Sequence, residues 1–148
     1  MKDNIININL ETSTAPIISE VRGKDWIEYG TDEWKNLYPQ FLIDLYYSSS
    51  ITAAIVNSTS EMIAGEALII EDEDDRDLEA RVKLENFINR ANGNESLHEV
   101  IKKLAFDFKL QGGFALNIVW SKDRTQIAEI YHLDVSKLRC AKPDEFGK

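Results

Sequence analysis

Residues 106–139 read FDFKLQGGFALNIVWSKDRTQIAEIYHLDVSKLR, and this stretch decides the fold. Two glycines, Gly112 and Gly113, follow the last apolar position of a helical pattern, so a helix is predicted to end there. The next seven residues alternate, which places Phe114, Leu116, Ile118 and Trp120 on one side of an extended strand. A polar turn over 121–125 and a second alternating run over 127–132 complete a predicted β-hairpin.

The helix before the glycines has a clear start. Ser96-Leu97-His98-Glu99 is a capping box, in which the serine oxygen accepts from the Glu99 N–H while the Glu99 side chain reaches back. Apolar residues then recur at three- and four-residue spacing: Leu97, Val100, Ile101, Leu104, Ala105 and Phe108. This pattern predicts the central core helix of the domain.

Two further helices are predicted in the first half of the chain. Pro39 suits the first turn of a short helix that ends near Tyr47. Ser49 or Ser50 caps a longer helix, which Gly65 is placed to close in the left-handed conformation. Its apolar positions form one stripe: Ile51, Ala54, Ile55, Met62 and Ile63. The brief apolar run over 67–70 then predicts a short strand.

An acidic run over 71–75 precedes another predicted helix over about 75–91. A calcium loop counted from Asp72 needs Gly at its sixth position and Glu at its twelfth, where this chain has Asp77 and Lys83. A solvated turn is therefore favoured over a metal site. The apolar positions of this helix are Leu78, Val82, Phe87 and Ile88. The pairs Glu79–Lys83 and Arg81–Glu85 are placed on its solvent-exposed side, and Asn92-Gly93-Asn94 is predicted to end it.

These elements predict an α+β domain of three to four helices on a small antiparallel sheet that includes the hairpin. It is assigned to residues 39–148, with residues 1–38 as an N-terminal arm. In the arm, Ile6, Ile8 and Leu10 alternate with asparagines, which is typical of a strand, and the region around Trp26 is irregular.

Composition limits the function classes. The chain has 148 residues, 43% hydrophobic and 29% charged, as in ordinary globular domains. Its net charge of −9 argues against tight binding of nucleic-acid phosphates. No apolar run is long enough for a spanning helix, and no signal peptide is recognised. Cys140 is the single cysteine, so no intrachain disulfide is possible, and it is interpreted as a small apolar filler.

No catalytic, cofactor-binding or metal site is predicted. His98 and His132 lack ligand spacing, and Asp107 and Asp134, an imaginable acid–base pair, are interpreted as surface or turn residues because nothing predicts a shared cleft. Ser48-Ser49-Ser50 is assigned to helix capping, and Gln111-Gly112-Gly113 to a helix end and not a phosphate cradle. The aromatic residues Trp26, Tyr29, Trp34 and Tyr38 are assigned to core or subunit contacts.

The order of elements resembles the amino-terminal, wing-side part of tailed-bacteriophage portal proteins of the HK97-like and SPP1-like type. The resemblance rests on residues 47–50, the helix 51–65 ending in Ala-Gly, the acidic link 71–77, the helix and glycine turn 97–113, and the hairpin and bend ending at Arg139. It covers about two-thirds of the chain. The stem, clip and channel-loop parts of that family have no counterpart, so the chain is expected to be a fragment or a small relative.

The resemblance implies a non-enzymatic structural component of a capsid-vertex ring, typically dodecameric, through which DNA is packaged and ejected without sequence-specific binding. It implies contacts with capsid and scaffold proteins, the terminase large subunit and a head–tail adaptor. The implied location is the virion, and the host cytoplasm during assembly. Buried aromatics such as Phe108, Phe114, Trp120 and Tyr131 would then act through shape. Two alternatives stay open: a small acidic phage-encoded adaptor, and an enzyme of unrecognised type with a cleft containing Asp107 or His132.

Overall fold

A computed structural model describes residues 26, 36–71 and 78–141 of the chain. Within these ranges four helices pack on a two-stranded antiparallel sheet. The helices are α1 Tyr38–Ser48, α2 Ser50–Ala64, α3 Leu78–Asn89 and α4 Leu97–Gln111; the strands are β1 Ala115–Trp120 and β2 Ile127–Leu133, and a 3-10 turn, Val135–Lys137, follows. This arrangement confirms the predicted α+β class.

Helix α4 is the centre of the domain, as predicted, since α1, α2, α3 and β2 all pack against it. The capping box is present: Ser96 Oγ accepts from Glu99 N at 3.2 Å, and Glu99 Oε2 accepts from Ser96 N at 2.7 Å. Val100 is fully buried and Ala105 nearly so. The position of Phe108 differs from the prediction, because about half of this side chain is exposed.

Gly112 ends α4 in the left-handed conformation, with φ 78° and ψ 5°, and its N–H donates to the Phe108 carbonyl at 3.0 Å. A side chain disfavours this backbone conformation, whereas glycine adopts it freely. Gly113 has no positive φ, and a Cβ would meet no atom within 4 Å at either glycine. The two positions therefore differ only in backbone conformation.

We expect Gly112→Ala to lower the free energy of unfolding by about 1 kcal/mol, because alanine is strained at positive φ. Gly113→Ala is the matched control and is expected to change it by less than about 0.5 kcal/mol. Urea denaturation of both variants measures the difference. Equal effects of the two substitutions would contradict the assignment of the cap to Gly112.

The predicted hairpin is present, with Ala115 opposite Leu133 and Ile118 opposite Ile130. The register then shifts, since Val119 lies opposite Glu129 and Trp120 opposite Ile127. Ala128 is therefore the extra residue of a β-bulge, which increases the local twist. Side chains directly opposite each other share a face of the sheet, so Leu116 and Ile118 lie on the same face as His132 and Ile130.

The turn between the strands is organised by Asp123. Its carboxylate accepts from Ser121 Oγ at 2.6 Å, from Thr125 Oγ1 at 2.8 Å and from Thr125 N at 3.3 Å. These hydrogen bonds, chiefly the one from Ser121, lower the pKa of Asp123 from 3.8 to about 2. Hydrogen bonds to the charged form favour ionisation.

The lowered pKa of Asp123 gives a pH prediction. A carboxyl group with a folded-state pKa below its unfolded value stabilises the fold above the unfolded pKa, and this contribution disappears as pH falls toward the folded pKa. We expect the Thr125 amide resonance to titrate with an apparent pKa of about 2. In Ser121→Ala the midpoint should move upward. A wild-type midpoint near 3.8, the ordinary value for this group, would contradict the hydrogen-bonded turn.

The segment 91–95 closes the outer edge of β2. Ile130 N donates to the Ala91 carbonyl at 2.9 Å, and Asn92 Nδ2 donates to the Ile130 carbonyl at 2.9 Å. Asn92 Oδ1 also accepts from Asn94 N and Glu95 N, each at 2.9 Å. Ala91 and Asn92 are both buried. The segment predicted only to stop a helix therefore also satisfies the strand edge.

Helix α2 begins as predicted, since Ser49 Oγ accepts from Thr52 N at 3.3 Å. It packs on α4 through a face of small residues, of which Val56, Ser60 and Ala64 are buried. The five residues of its predicted apolar stripe are all exposed, and Ile51, Ile55 and Met62 lie on the face opposite the buried one. Gly65 has a positive φ of 71° but a ψ of −171°, so it closes the helix without the left-handed conformation that was predicted.

Two other predictions need correction. Residues 67–70 form no strand, and the described part of the chain provides them with no pairing partner. In α3 the predicted apolar positions Leu78 and Val82 are exposed. The two ion pairs on α3 are confirmed: Lys83 to Glu79 at 2.7 Å and Arg81 to Glu85 at 3.2 Å.

The end of the predicted arm contacts the segment after the hairpin. Arg139 Nε donates to Asn36 Oδ1 at 2.7 Å, and Arg139 Nη2 donates to the Asn36 carbonyl at 2.6 Å. Trp26 forms a single antiparallel bridge with Ala141. The predicted strand over 4–10, most of the acidic run, Tyr29 and Trp34 lie outside the described residues.

Candidate functional site

A groove of about 630 Å³ lies between α1, α4 and β2. Its lining combines apolar and polar side chains: Ile43, Tyr46, Tyr47, Glu95, Glu99, Lys102, Lys103, Phe106, Asp107, Leu110, Gln111, His132 and Asp134. The structure thus brings Asp107, His132 and Asp134 into one groove, although no sequence pattern predicts that they lie together. This groove was not predicted, and it changes the interpretation of Asp107 as a surface or turn residue.

Asp107 is buried, with 8% of its surface exposed, and is therefore not the surface or turn residue that was predicted. Asp107 Oδ2 lies 2.7 Å from His132 Nε2 and accepts from Val135 N at 3.3 Å. Because an ionised carboxylate only accepts hydrogen bonds, His132 Nε2 carries the proton in this pair. Asp107 thereby connects α4 to β2 and to the 3-10 turn.

The two lysines that line the groove both form ion pairs. Lys103 Nζ forms an ion pair with Glu95 Oε1, and Lys102 Nζ lies 2.9 Å from Glu61 Oε1. The hydrogen bond from Lys103 lowers the pKa of Glu95, and that from Lys102 lowers the pKa of Glu61. Both carboxylates are therefore engaged by neighbouring lysines.

Asp134 is occupied in the same way. Its Oδ1 accepts from Ser136 Oγ at 2.6 Å and from Ser136 N at 3.1 Å, which caps the 3-10 turn. The hydrogen bond from the Ser136 side chain lowers the pKa of Asp134. Asp134 therefore acts as a turn residue, as predicted, although it also lines the groove.

The apolar wall of the groove comes from α1 and α4. The rings of Tyr46 and Phe106 meet edge to face, with centroids 5.2 Å apart, and Tyr46 Oη donates to Asn57 Oδ1 at 3.1 Å. Gln111 Nε2 donates to the Pro39 carbonyl at 3.1 Å. These contacts fix α1 against α4 and α2, so the groove has a rigid wall.

Two other residues considered as candidates, His98 and Ser48, contact backbone carbonyl oxygens. His98 Nε2 lies 3.0 Å from the Gly65 carbonyl oxygen, and Ser48 Oγ donates to the Leu45 carbonyl. Cys140 is exposed, which corrects its interpretation as an apolar filler. Among the described residues, no three His, Cys, Asp or Glu side chains are grouped to hold a metal ion. No helix in the described ranges is long and apolar enough to cross a membrane.

A second feature lies outside the groove, on the surface of α2. Ile51, Ile55 and Met62 are 72%, 53% and 83% exposed, and the polar Ser58 lies among them. Their spacing of four, three and four residues places them on one face of the helix. This face, called here the outer α2 stripe, points away from α4 because the buried positions Val56, Ser60 and Ala64 lie opposite.

A third feature is the exposed side of the hairpin, called here the β1 ledge. It consists of Phe114, Leu116, Ile118 and Trp120, which are 54%, 37%, 42% and 54% exposed. Phe108 of α4 borders it, with its ring centroid 6.2 Å from that of Phe114. The sequence correctly placed these four residues on one face, but Phe108, Phe114 and Trp120 are not the buried aromatics that were expected.

In the described part of the chain, the backbone edge of the β1 ledge also has no pairing strand. The backbone groups of Ile130 bond to 91–95, so Ile118 and Ile130 form a non-hydrogen-bonded pair and the Ile118 backbone points away from β2. Within the described residues, β1 has no second neighbouring strand. Charged residues or proline usually protect such edges. β1 contains neither.

Comparison with protein-family models, with curated proteins and with solved structures found no match for this chain. The geometry above therefore carries the functional argument.

Proposed function

We propose that this chain is a structural module of a tailed-phage portal, the ring at a capsid vertex through which DNA is packaged and ejected. The supporting observation is the distribution of apolar side chains. The buried hydrophobic residues of the described part are small: Val56, Ala64, Ala91, Val100 and Ala105. Much larger side chains lie on the outer α2 stripe and the β1 ledge, and large exposed apolar surfaces mark protein contacts.

The fixed geometry of the module suits a structural role. Three contacts join elements that are distant in sequence. They are the pair of Asp107 and His132, the hydrogen bonds of the segment 91–95 to β2, and the contact of Arg139 with Asn36. These contacts fix the position of the outer α2 stripe relative to the β1 ledge. A subunit of a ring needs this rigidity, because small angular errors accumulate around the ring.

The acidic character fits a protein that DNA passes without adhering. A net charge of −9 repels phosphate instead of binding it. Under this proposal the partners are copies of the chain in a ring, dodecameric in the family, with capsid and scaffold proteins, the terminase large subunit and a head–tail adaptor. Its location is the virion, and the host cytoplasm during assembly.

Electron microscopy of the longest natural gene product, purified from infected or expressing cells, tests this function. We expect closed rings of uniform stoichiometry. A product that stays monomeric under assembly conditions contradicts the proposal. A monomer that binds one other virion protein in a defined ratio would instead identify an adaptor.

The groove favours a second candidate, a small-molecule or catalytic site using Asp107 and His132. It ranks below the structural role because the charged groups of the groove are already engaged by neighbouring residues. Fragment screening by NMR tests it: ligand-induced shifts centred on Tyr46, Phe106 and His132 would favour a site, and their absence would oppose it.

A further inference from the structure

We propose that the outer α2 stripe of one copy packs on the β1 ledge of the next copy, which makes the contact between subunits head-to-tail. The inference rests on the proposed function and specifies the surfaces that would build the ring. When the stripe of one copy binds the ledge of a second copy, the ledge of the first and the stripe of the second both remain free. Repetition of such a contact closes into a ring or grows into a filament.

The two faces match in length and in polarity. The stripe runs over the twelve residues from Ile51 to Met62, roughly 17 Å at the rise of a helix. The ledge runs over the seven residues from Phe114 to Trp120, roughly 20 Å along a strand. None of the residues that define either face is charged.

The position of the ledge leaves space for a helix. Helix α4 packs against β2, and the ledge projects from β1 on the same face of the sheet that bears His132 and Ile130. Phe108 and Phe114 form the corner between α4 and the ledge. A helix laid along this corner would cover the exposed side of the hairpin beside α4, just as α4 covers β2.

The charge of the chain favours this pairing over others. Two copies that each carry −9 repel across most of their surfaces, and uncharged faces are where this repulsion is least. Glu61, the carboxylate nearest the stripe in sequence, is already neutralised by Lys102 at 2.9 Å. Because α4 lies between α2 and the hairpin, one copy has both faces available at once.

A complementation experiment with the full chain tests the inference. Ile55→Glu blocks the stripe and leaves the ledge intact, whereas Ile118→Glu blocks the ledge and leaves the stripe intact. Each variant alone is expected to be a monomer of 16.9 kDa by native mass spectrometry. An equimolar mixture is expected to form a one-to-one dimer, because Ile118→Glu supplies an intact stripe and Ile55→Glu supplies an intact ledge. Val82→Glu, at an exposed aliphatic position of α3, is the control and should assemble like the wild type.

Each other outcome has a defined meaning. Variants that still assemble alone, or a mixture of folded variants that stays monomeric, would overturn the inference while leaving the ring proposal standing. Dimers of Ile55→Glu alone would show that the open β1 edges pair with each other, which also overturns it. If circular dichroism shows that Ile118→Glu unfolds the hairpin, Trp120→Thr, compatible with a strand, replaces it. A monomeric wild type at all concentrations would contradict the proposed function itself.

Discussion

We expect Asn92→Ala to lower the free energy of unfolding by about 3 kcal/mol. The Asn92 side chain donates to the Ile130 carbonyl and accepts from the N–H groups of Asn94 and Glu95, each at 2.9 Å, and the residue is 4% exposed. Alanine would leave three backbone groups without these partners. An unsatisfied buried polar group costs about 1–3 kcal/mol, and partial hydration of the loop limits the sum.

Asn94→Ala is the matched control, because Asn94 is an exposed asparagine in the same turn that contributes only its N–H to this network. It should change the free energy of unfolding by less than about 0.5 kcal/mol. Urea denaturation gives both values. Hydrogen exchange of the Ile130 amide reports directly on the contact between the segment 91–95 and β2, because this amide donates to the Ala91 carbonyl. If both variants lose the same stability, the side chain of Asn92 does not hold the edge of β2.

We expect Asp107→Ala to cost about 2–3 kcal/mol, the second largest effect. Asp107 is buried in α4 and accepts from His132 Nε2 and Val135 N at 2.7 and 3.3 Å. Its removal leaves both donors without this acceptor at the junction of helix, strand and 3-10 turn. Thermal and urea denaturation measure the loss, and the His132 ring resonances should show that the ring is no longer fixed.

Asp44→Ala is a suitable control for Asp107→Ala. Asp44 is also a helical aspartate, but it is exposed, and among the described residues its side chain accepts from Gln40 alone, at 3.1 Å. Both substitutions gain the same small helix propensity of alanine, so their difference isolates the buried contacts. A loss at Asp107 no larger than at Asp44 would mean that the contact with His132 adds nothing to stability.

The features predictable from sequence are local ones. The capping box at Ser96 and Glu99, the helix end at Gly112 and the hairpin each depend on residues within a few positions of one another. Their physical causes, namely unsatisfied helix N–H groups, positive φ and alternating side chains, can be read directly from residue order. These predictions are confirmed by the structure.

The features that sequence could not predict depend on distant partners. Nothing near Asp107 in sequence indicates that His132, twenty-five residues away, will lie against it. Likewise, the contact of Asn92 with Ile130 spans thirty-eight residues. Hydrophobic spacing placed the α2 residues on one stripe but could not tell whether α4 would meet that stripe or the small residues opposite. The small face is buried because Ser60 and Ala64 let two helices approach closely.

Ser60 shows how this arrangement remains favourable. It is 2% exposed, and its hydroxyl donates to the Val56 carbonyl at 2.7 Å, so a polar side chain at the α2–α4 contact keeps a partner. The apolar stripe is thereby left free on the outside. Among the described residues the buried hydrophobic side chains are small and many large ones are exposed, a distribution suited to association and the basis of the structural proposal.

Sedimentation velocity of the wild-type chain over a hundredfold range of concentration tests the central claim most directly, namely that the chain works by associating with copies of itself. We predict a sedimentation coefficient that rises with concentration toward a discrete assembly. A single species of 16.9 kDa across the whole range would contradict it.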